Sequence, residues 1–83
     1  MLIPKSAASK IKSFPALKVM CYLVEYHLAD SFVYNEANVD LVQAAYHISK
    51  QQIKVALTYL LKENLILKEK KGHYKLNQEL INP

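Results

Sequence analysis

The stretch Tyr46-His47-Ile48-Ser49-Lys50-Gln51-Gln52-Ile53-Lys54-Val55-Ala56-Leu57-Thr58-Tyr59-Leu60 decides the fold of this chain. Within it, Ser49-Lys50-Gln51-Gln52 has the form of a capping box, in which the serine hydroxyl and the glutamine side chain satisfy orphan amides of a starting helix reciprocally. From that cap Ile53, Ala56, Leu57, Leu60 and Leu61 recur at i, i+3, i+4, i+7 and i+8, which predicts an amphipathic helix to about Glu63 with one apolar face turned inward. Asn64 suits its end, because asparagine tolerates the left-handed conformation found there. On the amino-terminal side a second helix is expected from about Val39 to Tyr46, with Leu41, Val42, Ala45 and Tyr46 buried and His47-Ile48-Ser49 as the connection.

Working outward, Leu65 to Lys70 reads as a strand, Lys71-Gly72 as a tight turn and His73 to Asn77 as the returning strand. The single glycine falls at the tip, where a positive φ is most useful. Upstream, Ser31-Phe32-Val33-Tyr34 suits a short strand, followed by the turn-like Asn35-Glu36-Ala37-Asn38. From Ala16 to Leu28 an apolar stripe of Leu17, Met20, Cys21, Val24 and Leu28 predicts the first long helix. Val19, Tyr22, Leu23 and Tyr26 spread the apolar surface beyond that stripe. A cover is therefore expected, from the amino-terminal segment or from a second subunit. Residues 1–15 read as an arm or short helix over Ser6–Ser13, interrupted at Phe14-Pro15 because the residue before proline is pushed out of the helical region. The tail from Gln78 reads as loose, with Leu80 or Ile81 docking.

Eighty-three residues support one core, so residues 1–83 form a single domain. A hydrophobic content of 52% with 22% charged residues is the balance of a folded globular chain. A lone cysteine, Cys21, rules out an intramolecular disulfide and points to a reducing compartment. The opening residues lack the apolar run of a secretory signal, and no stretch approaches the ~20 apolar residues of a membrane span. A soluble, cytoplasmic protein without membrane contact is expected. The formal charge of +4 comes entirely from lysine on the basic side, so a polyanion fits while guanine reading by bidentate arginine is excluded.

The order helix, short strand, helix, three-residue turn, helix, hairpin over residues 16–77 resembles the winged helix-turn-helix family. The quoted stretch is similar to the turn and recognition helix of bacterial regulators, and Asn64-Leu65-Ile66 looks like the family's usual glycine-leucine-isoleucine at the start of the wing. His47 departs from the pattern, standing where a glycine is common, at a cost on the order of 1 kcal/mol if it takes a left-handed conformation. Gln43 departs too, standing where the second helix often has a small buried residue. The resemblance implies a mainly α fold with a small β-hairpin (α+β), a helix-turn-helix at 39–63 and a wing at 65–77. It implies binding of double-stranded DNA, as a transcriptional regulator or as a replication or partition factor of a plasmid, phage or virus.

A helix enters the major groove only if its outer face lacks bulky apolar residues while a core clamps its inner face. With Ile53 inward, Gln51, Lys54, Val55, Thr58 and Lys62 project outward, flanked by Lys50, Gln52 and Tyr59. The expected contacts on this helix are Ser49, Lys50, Gln51, Gln52, Lys54, Val55 and Thr58, with a preference for A·T pairs from the glutamines and methyl groups. On the wing, Lys68, Lys70, Lys71, His73 and Lys75 are expected beside phosphates. Val19, Tyr22, Leu23 and Tyr26 are the expected homodimer interface, since one such module buries little DNA.

His27, His47, His73 and Cys21 show no metal-ligand spacing, so no metal is expected. No paired carboxylates, phosphate loop or nucleophile-base arrangement appears, so no enzyme activity, cofactor or small-molecule ligand is expected either. The rival reading from a different class is a winged-helix module that binds protein within a larger assembly, through the exposed apolar residues of its first helix. An RNA-binding module fits less well, for want of an aromatic stacking platform.

Overall fold

The computed structural model of the chain describes residues 14–81. The expected helix over Ser6–Ser13 lies outside the described residues, as do the side chains of Leu80 and Ile81. In chain order the elements are α1 (Phe14–Tyr26), β1 (Phe32–Val33), α2 (Glu36–Tyr46), α3 (Lys50–Lys62), β2 (Ile66–Lys70), β3 (His73–Leu76) and α4 (Gln78–Ile81). The result is a mainly α domain with a small antiparallel sheet in the order β1-β3-β2.

α3 forms as its cap predicts. Ser49 has extended backbone, its hydroxyl accepts from the Gln52 amide at 3.1 Å, and the Ser49 amide donates to the Gln52 side chain at 2.8 Å. At the other end Asn64 takes a left-handed φ of 59°. Its amide donates to the Leu61 carbonyl and the Leu65 amide to the Leu60 carbonyl, at 3.1 and 3.0 Å. This is a Schellman closure, completed by apolar contact between residues of the Leu60 and Leu65 type, both fully buried here.

α2 starts three residues earlier than expected. Asn35-Glu36-Ala37-Asn38, read as a turn from sequence, is the cap and first turn of the helix, with the Asn35 side chain accepting from the Asn38 amide at 2.8 Å. Counted from there, the buried residues are Val39 and Val42, with Tyr46 half-buried. Leu41 is 57% exposed and Ala45 is also exposed, against expectation. The reason is that 39, 42 and 46 form one face, and treating Val39 as the terminus removed it from the pattern. α2 closes at His47, left-handed with φ 55°, whose amide donates to the Gln43 carbonyl at 2.8 Å. The Lys18 ammonium donates to the Tyr46 carbonyl at 3.3 Å, placing a cation at the helix end where the dipole favours one.

The inward face of α1 also differs from expectation. Ala16, Val19, Met20, Tyr22, Leu23 and Val24 are buried, while Leu17, Cys21 and Leu28 are only half-buried. α1 is apolar nearly all round, so periodicity alone does not select a face. Packing selects it, chiefly against α3, with further contacts to α2 and β3. Phe32 completes the core with its ring edge-on to Tyr22, centroids 6.3 Å apart. The tail is tied down where looseness was expected: Gln78 donates to the Leu28 carbonyl and the Asn77 side chain to the Asn64 carbonyl, both at 2.8 Å.

Candidate nucleic-acid interface

α3 is clamped from within by Ile53, Ala56, Leu57 and Leu60, each 3% exposed or less. Burying Ile53, Leu57 or Leu60 contributes roughly 1.5–3 kcal/mol each, so the helix is fixed in rotation as well as in place. Its other side presents Lys50, Gln51, Gln52, Lys54, Val55, Thr58 and Lys62 to solvent, with Tyr59 half-buried at the edge. Ser49 is exposed at the cap. Val55, 54% exposed, is the only large apolar residue on this side. The Thr58 hydroxyl donates to the Lys54 carbonyl one turn back at 3.1 Å, which commits its proton to the helix. The first turn of α3 carries no acidic residue, so no carboxylate offsets the positive end of its dipole.

The hairpin divides the expected wing residues between two faces. Ile66 pairs with Leu76, Leu67 with Lys75, Lys68 with Tyr74 and Lys70 with His73, with a bulge between Lys68 and Lys70. Side chains alternate across a strand. Lys68 and Tyr74 therefore share the face of the buried Ile66 and Leu76, on the α3 side, whereas His73, Lys75 and Leu67 occupy the opposite face. Lys70 and Lys71 lie at the tip around Gly72, whose φ is 77°. Lys75 instead lines a concavity of about 610 Å³ together with Asp30, Glu69 and Glu79. The structure thus brings Lys68 to the α3 side of the hairpin and separates Lys75 and His73 from it.

Between α3 and the sheet runs a smaller cleft of about 260 Å³, lined by Tyr34, Lys54, Leu57, Thr58 and Tyr74. Tyr34 and Tyr74 were not among the residues expected at the site. A period-two count from Phe32, which must face the core, puts Tyr34 on the same face and is the signal that could have found it.

No family model, curated protein or solved structure matches the chain.

The expected dimer interface on α1 requires correction. Val19, Tyr22 and Leu23 are 1%, 6% and 1% exposed, enclosed by the chain's own core, and only Tyr26, at 59%, is open to a partner. The apolar excess that suggested a second subunit is consumed by packing α1 on several elements at once. Among the described residues no group of three His, Cys, Asp or Glu is placed to hold a metal ion, and no helix is long and apolar enough to cross a membrane. Burial raises the titration of the Cys21 thiol, with the Glu25 carboxylate adding to it, and burial likewise raises the Tyr22 and Tyr46 phenols. None of these three groups lies on α3 or the hairpin.

Proposed function

We propose that this chain is a small winged helix-turn-helix protein that binds double-stranded DNA, acting by occupying a site and without chemistry of its own. The observation that carries the reading is the two-sided character of α3: an aliphatic inner face with no exposed remainder, and an outer face of lysine, glutamine, threonine and one valine. Such a helix fits the major groove, where glutamine can pair with adenine edges and the Val55 and Thr58 methyls can meet thymine methyls. Lys68, Lys70 and Lys71 on the neighbouring hairpin supply cations to the flanking phosphates. Regulation of transcription, or replication or partition of a mobile element, in the cytoplasm, is the role that suits a module of this size.

Pairing of two copies on DNA belongs to the proposal, because one such module buries little duplex surface. An interface would draw on apolar residues that remain exposed, such as Phe14, Tyr26 and Leu41. Sedimentation at high protein concentration tests it, and a strict monomer with and without duplex removes the dimer from the reading.

The decisive experiment is fluorescence anisotropy of a labelled random duplex titrated with the protein at several salt concentrations. Binding that weakens steeply with salt, and weakens further when Lys70 and Lys71 are both replaced by alanine, is expected. Absence of binding even at low salt would point instead to a protein-binding module with Tyr26 and Leu41 on its surface.

A further inference from the structure

The Tyr34 hydroxyl is shut off from solvent and has no hydrogen-bond partner. A buried hydroxyl normally finds one, since leaving it unpaired forfeits its hydration with no return. Its position is fixed by the backbone: the Tyr34 amide donates to the Gly72 carbonyl at 2.7 Å, which ties the residue to the hairpin tip. On the same face as Phe32, its ring reaches the cleft that Lys54, Leu57, Thr58 and Tyr74 complete.

Three features define what this cleft can hold. At about 260 Å³ it is smaller than the pockets of small-molecule sites, which start near ~300 Å³, so it suits a single compact group and not a nucleobase with its sugar. Its polar donor side chains are two phenols, Tyr34 with its proton uncommitted and Tyr74, and the Lys54 ammonium, which together call for an anionic acceptor. The Thr58 proton is committed to the Lys54 carbonyl, so that hydroxyl does not compete as a donor. Lys54, exposed and long, is the flexible wall of the cleft.

We propose that Tyr34 and Lys54 together seat one phosphodiester group of the duplex backbone in the cleft between α3 and the sheet. The inference rests on the DNA-binding reading and deepens it. The Lys54 ammonium meets the phosphate, and the Tyr34 hydroxyl, enclosed in the free chain, turns to donate to a phosphate oxygen. Because Tyr34 is bonded to the hairpin tip and Lys54 belongs to α3, the seated phosphate sets the register of both elements on the duplex at once.

The test compares wild type, Tyr34→Phe and Lys54→Gln by thermal melting and by anisotropy with a defined duplex selected for wild-type binding. The same duplex is also made with a single neutral methylphosphonate moved along each strand. Tyr34→Phe removes an enclosed, unpaired polar atom, so its Tm is expected to equal or exceed that of wild type. Its affinity is expected to fall about tenfold, the loss of one charge-assisted hydrogen bond. The salt slope should stay unchanged, because a neutral donor releases no counterion, while in Lys54→Gln it becomes shallower by about 0.9. One methylphosphonate position should weaken wild type and have a much smaller effect on both variants. Unchanged affinity of Tyr34→Phe, with wild type binding normally, overturns the seat and leaves the DNA reading intact. A lowered Tm in Tyr34→Phe marks the hydroxyl as structural and also overturns it. Failure of wild type to bind duplex removes the DNA reading and the seat with it.

Discussion

Replacing Lys54 and Lys75 in turn by glutamine separates a DNA-binding face from a merely basic protein. Both changes remove one positive charge from an exposed side chain, and both lysines lie in the basic carboxy-terminal half. Glutamine matches lysine closely in helix propensity, so α3 is undisturbed by the first change. The structure separates them: Lys54 lines the clefts on the outer side of α3, whereas Lys75 lies on the far face of the hairpin beside Glu69 and Glu79. If Lys54 meets a phosphate, its loss removes one counterion from the release on binding and the slope of log K against log salt becomes shallower by about 0.9. Between 50 and 200 mM salt the deficit of Lys54→Gln relative to wild type should therefore shrink by about 3.5-fold, as follows from that slope. Lys75→Gln should keep the wild-type slope. Anisotropy titrations of one duplex at four or five salt concentrations measure both. Equal slopes for the two variants would mean that net charge alone drives binding, and the assignment of the face would be wrong.

Other expectations concern the frame that holds that face. His47→Gly removes a left-handed non-glycine residue and should raise stability by up to about 1 kcal/mol, partly offset by the added freedom of the unfolded chain. Asn64→Gly should gain less, because asparagine already tolerates that conformation; urea melts rank the two, and a loss of stability in His47→Gly contradicts the account of the bend. Leu23→Ala should cost about 2–5 kcal/mol, while Tyr26→Ala should cost no more than about 0.5–1.5 kcal/mol, the loss of its ring pair with Tyr22 at 4.8 Å, a contrast that calorimetry on the isolated chain can read. Raised titration of Cys21, Tyr22 and Tyr46 means that the unfolded chain gives up these protons first, so it binds fewer than the folded chain and stability declines with pH. The decline should begin near the ordinary thiol value of 9.0 and deepen through the tyrosine value of 10.0, and a Tm that stays flat across this range would count against it.

The parts of the fold that could be read in the sequence are those with local signals that agree. In α3 the Ser49–Gln52 box, the 53-56-57-60 spacing and Asn64 all specify one helix in one rotation, and the hairpin has its glycine where the turn needs it. α1 offers no such agreement. Residues 16, 19, 20 and 23 fit a helical stripe as well as 17, 20, 21 and 24 do, and only contact with α3 and the sheet decides between them. That ambiguity produced the mistaken dimer surface. The start of α2 was hidden for another reason, because asparagine side chains accept backbone amides in turns and in caps alike. The expected grouping of the hairpin lysines leaves out the period of two, by which Lys75, next to the buried Leu76, falls on the face away from α3.

The distribution of charge supplies a further argument for the α3 side over its alternatives. Glu25, Asp30, Glu36 and Asp40 follow one another along the end of α1, the β1 connection and the start of α2, where no lysine intervenes. Lys50, Lys54, Lys62, Lys68, Lys70 and Lys71 then occupy α3, the α3 side of the hairpin and its tip, against Glu63, while Lys75 lies on the far face with Glu69. The outer face of α2, with Glu36, Asp40 and the exposed Leu41, would repel a duplex, so under the proposed reading α3 is the better face to meet one. Once there it meets a helix whose rotation is fixed by four buried side chains and whose two ends are closed by backbone and side-chain bonds. The lysines and glutamines are then presented at set positions, as register on DNA requires.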